Sequence, residues 1–214
     1  MPSTIDQDTE LRAVNSILGS IGQSPVTALN FKNPEIEFIY NILTEVSKDV
    51  QNEGWQFNLE ENVTVTPSSN KISLGNEEIR VNVHSAGDDT KLIDTVIRYD
   101  TSHSGSQRRV YSLEDNTFAA FTAAATYKAD IVTLYAFEKV PNVFQRYITY
   151  RSAVRAATQL IANPQLVQLL QLQEITARAN CLEYEGRQGD HSFFGLPNAK
   201  RLHSQILGRA QASG

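Results

Sequence analysis

Two kinds of hydrophobic spacing share this chain, and they occupy different parts of it. Apolar residues recur every three or four places near both ends and every second place in the middle. The first spacing lines one face of a helix and the second lines one face of a strand. An order of helix, strand and helix again predicts an α+β fold. About four helices from both chain ends should pack together, with an antiparallel β segment inserted between them and an extended C-terminal arm beyond.

The first helix is predicted over 8–21, through Leu11, Val14, Leu18 and Ile21, with Asp8 or Thr9 as its cap. "GSIGQSPV" (19–26) ends it with two glycines and a proline. A second helix fits 34–52, with Asn33 as cap, Pro34 at its first position and a stripe of Ile36, Ile39, Tyr40, Leu43, Val46 and Val50. Gly54 supplies its stop.

Alternation begins after Trp55. "NVTVTP" (62–67), "EIRVNVH" (78–84), "KLIDTVIRYD" (91–100), "RRVYSL" (108–113) and "DIVTLYAF" (130–137) read as strands, with turn chemistry at 84–89 and 101–107. The run "FAAFTAAATYKA" (118–129) fits helix by its alanines and strand or loop by its threonines.

Helical spacing returns at Pro141, through Val143, Tyr147, Tyr150, Val154, Ala157 and Ile161. Asn163–Pro164 interrupts it, and a fourth helix follows to about 186. Leu166, Leu169, Leu170, Ala177, Cys181 and Tyr184 share one face of that helix, and Leu172, Ile175 and Leu182 fall nearly opposite. A helix apolar on two sides needs two burial partners. The pattern therefore divides the chain into a bundle (1–55 and 139–186), an inserted β domain (56–138) and an arm (187–214). The arm is rich in Gly, Ser, Gln and Arg, without a long apolar stripe.

Composition excludes several classes. A net charge of −5 argues against a general nucleic-acid binder, which needs a basic surface. No apolar run approaches the roughly 18 residues of a membrane span, and the polar, acidic start does not resemble a secretory signal. The single Cys181 permits no internal disulfide, which fits maturation in a reducing cytosol.

Catalytic chemistry is hard to find. The sequence has no phosphate loop, no HExxH and no GxSxG. Its histidines, His84, His103, His191 and His203, are not paired at metal-ligand spacing. His84, Asp88 and Asp89 share one turn and could hold a cation, although such residues are routine turn formers. Glu183 and Glu185 diverge by about 200° on a helix, too far to act as an acid–base pair. Glu60–Glu61 and Glu77–Glu78 read as a strand edge and a turn. Arg151, Arg155 and Arg178 read as surface charge. These readings give no catalytic residue, no cofactor and no metal. "NEGWQFNLE" (52–60) holds the lone tryptophan, which reads either as a ligand platform or as a buried anchor. If the chain is already extended there, Trp55 and Phe57 point to one side.

Four runs, in order, resemble one family. They are "LRAVNSILGSIGQSPV" (11–26), "QNEGWQFNLEEN" (51–62) with its Gly54, Trp55, Phe57 and Asn58, "VPNVFQRYITYRSAVRAATQL" (140–160), and "NPQLVQLLQLQEITARANCLEYEG" (163–186). The family is tail tubular protein A, the head–tail adaptors of short-tailed bacteriophages. The resemblance covers both ends of the chain and is weak between about 67 and 130.

That resemblance implies a structural virion protein made in the host cytoplasm. It implies a homo-oligomeric ring, of twelve copies in the family, seated beneath the portal protein at the capsid vertex. Such a ring joins the portal to the tail nozzle (tail tubular protein B), offers attachment points for tail fibres, and lets DNA pass through its bore without specific binding. On this reading Gly54, Trp55, Phe57 and Asn58 form a structural junction. Leu172, Ile175 and Leu182 are a candidate subunit interface. The portal-binding arm carries Arg187, Phe193, Phe194, Lys200, Arg201 and Arg209. Two rivals remain open, a cell-wall hydrolase using Glu77 or Glu78 and a small carbohydrate- or protein-binding module built on Trp55.

Overall fold

The computed structural model describes residues 9–102, 106–161 and 163–188. Its helices are α1 (Glu10–Ser20), α2 (Pro34–Asn52), α3 (Asn142–Leu160) and α4 (Pro164–Gln188). Its strands are β1 (Leu59–Val65), β2 (Glu78–Ser85), β3 (Asp88–Leu92), β4 (Thr95–Asp100), β5 (Gln107–Ser112) and β6 (Tyr127–Thr133). The architecture is α+β, with four helices drawn from both ends of the chain and antiparallel strands between them.

Local chemistry sets the helix limits. The Thr9 hydroxyl accepts from the Arg12 amide at the start of α1. Asn33 does the same for Glu35 ahead of Pro34, where a missing N–H leaves no bond unmade. Gly54, at φ +76°, ends α2 in a conformation that side chains resist. A Cβ there would also run into the Arg80 guanidinium and Val132.

β1, β6, β2 and β3 form one antiparallel sheet in that order, and β4 pairs with β5 in a separate ribbon. The pattern over 91–100 predicts one strand. The chain instead leaves β3 at Leu92 and resumes as β4 at Thr95, which lets it change sheets. Ile93 still donates to Val83, and Asp94 accepts from Leu113 across the ribbon. The run 118–129 is loop until β6 begins at Tyr127. Within it Phe121 is buried, its amide donating to Asn70 and that of Thr122 to the Tyr127 hydroxyl.

Two hydrophobic cores result. The helical core gathers α1, α2, α3 and the inner face of α4, together with Trp55, Phe137 and Val140. The β core is smaller and holds Ile72, Val81, Val83, Val110, Phe121, Tyr127, Ala129 and Ile131. α3 lies at the centre of the bundle, packed by α1, α2 and α4. Its buried residues are Phe144, Gln145, Tyr147, Ile148, Ser152, Ala153, Ala156 and Ala157, which replaces the single stripe expected from sequence. Val143, Tyr150, Val154 and Ile161 are only partly buried. A helix surrounded on several sides buries small residues wherever neighbours approach closely, and a one-face pattern cannot show that.

Candidate assembly surfaces and the junction between the cores

The chain crosses between the two cores twice, at 53–58 and at 134–136, and one polar knot holds both crossings. The Gln51 side chain is fully buried in the last turn of α2. Its oxygen accepts from the Tyr135 amide at 2.8 Å and its nitrogen donates to the Tyr135 carbonyl at 3.0 Å. Asn58 is equally buried. Its oxygen accepts from the Trp55 amide at 2.9 Å, and its nitrogen donates to the carbonyls of Gln51 and Thr133. Two side-chain amides thus give partners to main-chain groups at both crossings, the Trp55 amide and both polar groups of Tyr135 among them.

Trp55 and Phe57 belong to a turn, not to extended chain. The Trp55 carbonyl accepts from the amides of Asn58 and Leu59, so strand alternation has not yet begun. Both rings nevertheless reach Phe144, at centroid distances of 4.9 and 4.7 Å, and Tyr184 of α4 meets the same ring edge-on. The Trp55 side chain is 7% exposed, and its indole nitrogen donates to the Val50 carbonyl. It has no open face for a sugar.

The arginines are set by the same junction. Arg178 of α4 donates to both carboxylate oxygens of Glu53 and to the Tyr147 hydroxyl. Its guanidinium also lies 5.8 Å from the centre of the Trp55 ring. The hydrogen bonds to Glu53 push its pKa further above the ordinary arginine value. Arg151 donates to the same hydroxyl and reaches Glu53 and Glu174. Arg155 stands near Glu45 and Asp49. Glu185 accepts from the Gln56 amide, and Glu183 pairs with Arg187.

α4 presents two different faces. Leu170, Ala177 and Cys181 are buried, with Leu166, Val167 and Tyr184 partly so. Burial pushes the Cys181 thiol up to about 12. On the outer side Leu172 is 63% exposed, Ile175 64% and Leu182 55%. Leu169 joins them at 55%, although its place in the sequence pattern had put it inward. Arg187 lies in the last turn of α4. Phe193, Phe194, Lys200, Arg201 and Arg209 lie outside the described residues, as do His103, His191 and His203.

The remaining candidates for chemistry have structural partners. His84 sits in β2 opposite Leu92, and its Nε2 is 3.2 Å from Asp130 of β6. Among the described residues, no three histidines, cysteines or acids stand together as a metal site. Glu78 accepts from the Gly75 amide, and Arg108 braces the same turn through the carbonyls of Gly75 and Glu78. Glu77 lines a shallow groove of about 260 Å³ with Glu10, Tyr40, Lys48 and Tyr135. Burial, reinforced by Glu10, raises the Tyr40 hydroxyl above its usual pKa. Asp100 is held well below the carboxylate range by Lys71 first, then by Ser102 and Arg109. This cluster ties the 68–73 segment to the ribbon. Among the described residues, no helix is long and apolar enough to cross a membrane.

Asn58 stands out in the sequence within its motif, whereas Gln51 and Phe144 do not. The only signal for Gln51 was a polar residue beside Val50 at the end of an apolar stripe. No curated protein matches the chain. One family model, described as Tube: Tail tubular protein, matches residues 11–191.

Proposed function

The chain belongs to the tail tubular protein family, with the match running from α1 to beyond the end of α4, and on that premise we propose that it is the adaptor ring between portal and nozzle. Membership makes it a structural component of a bacteriophage tail. The finer reading is a ring of copies beneath the portal, a bore for DNA, and a surface for nozzle and fibres. The bundle and the arm (187–214) face the portal on this reading. The inserted β segment (56–138) faces the nozzle.

The observation that supports a ring is the outer face of α4, with Leu169, Leu172, Ile175 and Leu182 all more than half exposed. Monomeric proteins seldom leave a contiguous apolar patch of this kind uncovered. A closed ring joins unlike faces of neighbouring subunits, so one such stripe per copy suffices. An overall charge of −5 suits a conduit that does not grip DNA.

Electron microscopy of the protein mixed with portal rings tests the reading. Stacked rings are expected. Protein that stays dispersed while portals remain bare would overturn it. A chain stopped after Gln188 should fold yet fail to dock, and normal docking would remove the arm from the portal contact.

A further inference from the structure

We propose that in the free protein the segment 189–214 lies along the outer face of α4 of its own chain, covering the stripe through which copies would otherwise associate. The stripe is laid out for a long, narrow occupant. Leu172, Ile175, Ala179 and Leu182 are all exposed and step by three, four and three residues, with Leu169 extending the row toward the start of the helix. At about 1.5 Å per residue the row from Leu169 to Leu182 is about 20 Å long.

The chain continues from the end of that same helix. Returning from Gln188 to Leu169 means covering about 29 Å, which takes about nine extended residues at about 3.3 Å each. The 26 residues from 189 to 214 exceed that severalfold in reach. They carry the apolar side chains the stripe lacks, namely Phe193, Phe194 and Leu196, then Leu202, Ile206 and Leu207. Charge favours the same pairing. With Lys200, Arg201 and Arg209 against Asp190, the segment has a net charge of +2, leaving −7 for the rest of a chain whose total is −5.

Tethering decides between this occupant and a second copy. A segment joined directly to α4 acts at an effective concentration in the millimolar range, well above that of another protein molecule in solution. The contact needs no portal, so it stands or falls separately from the docking reading. If both hold, a partner that takes the arm also uncovers α4, and the ring closes only where that partner is present.

The test labels one surface position with an environment-sensitive dye. Thr176→Cys is exposed and borders the stripe. Buried Cys181, its thiol pushed up to about 12, stays unreactive. Iodide quenching is then compared at nanomolar protein in the full chain, in a chain stopped after Gln188, and in a full-length variant with Phe193, Phe194, Leu202 and Ile206 changed to serine. The quenching constant should rise severalfold in both altered proteins. Equal quenching in all three would overturn the proposal. So would protection of the full chain that appears only as protein concentration rises, because that makes a second copy the occupant.

Discussion

The Glu53 carboxylate accepts from both terminal nitrogens of Arg178, at 3.1 and 2.9 Å, and so joins the end of α2 to the middle of α4. Both side chains are about a third exposed or more, which sets the scale of the effect. A double-mutant cycle with Glu53→Gln and Arg178→Met should give a coupling of about 1 kcal/mol in urea unfolding. The coupling should shrink at high salt. Strict additivity of the two changes would mean that the pair contributes nothing to holding α4.

Asn58→Ala should be more damaging than its size suggests. It strips a partner from the Trp55 amide and from the carbonyls of Gln51 and Thr133, around a side chain that is itself buried. A loss of about 2–4 kcal/mol is expected, since each orphaned buried group costs about 1–3 kcal/mol. Trp55→Ala should cost about 3–5 kcal/mol as a large buried ring. The lone tryptophan provides the fluorescence signal for Asn58→Ala, and circular dichroism serves for Trp55→Ala. A loss below about 1 kcal/mol for either would remove the junction from the list of stabilising contacts.

Acid should act through Asp100. Its folded pKa lies below the unfolded value of about 3.9. Its contribution is therefore present above about pH 5, and falls away as pH drops past the unfolded value toward the lower folded one. Asp100→Asn should be less stable than wild type at pH 7, and the gap should narrow on acidification to pH 3. Thermal melts at stepped pH measure this. A gap that widens on acidification would contradict the sign.

The two faces of α4 should separate stability from assembly. Leu172→Ser with Ile175→Ser changes only exposed side chains, and stability should stay within about 0.5 kcal/mol per site. Ring formation on portals should nonetheless be lost, as scored by electron microscopy. Leu170→Ala, on the buried face, should instead cost about 2–5 kcal/mol. Rings formed normally by the double serine variant would exclude this stripe from the subunit contact.

Much of the fold could be read from spacing because it depends on local periods. The limits of α2 and its cap at Asn33 need only neighbouring residues. Gln51 was not legible for the opposite reason, since its partner Tyr135 lies 84 residues away and its place beside Val50 shows only where an apolar stripe ends. The inner residues of α3 were blurred because three helices contribute to their burial. The break between β3 and β4 was missed because Ile93 and Asp94 include no glycine or proline to mark the point where the chain changes sheets. Leu172, Ile175 and Leu182 were legible as a second apolar face, because helix geometry alone opposes them to Leu170 and Cys181.

The joining of α1 and α2 to α3 across the whole β segment also has a consequence in time. About 90 residues separate the end of α2 from the start of α3. At about 5–20 residues per second, a ribosome needs about 5–18 s to supply the helix that completes the first core. During that interval Ile39, Leu43, Val46 and Val50 have been made, but the Phe144, Tyr147 and Ile148 that share their core have not. Nascent chains should therefore be most dependent on chaperones midway through synthesis, while the strands are emerging and the two early helices still lack their central partner.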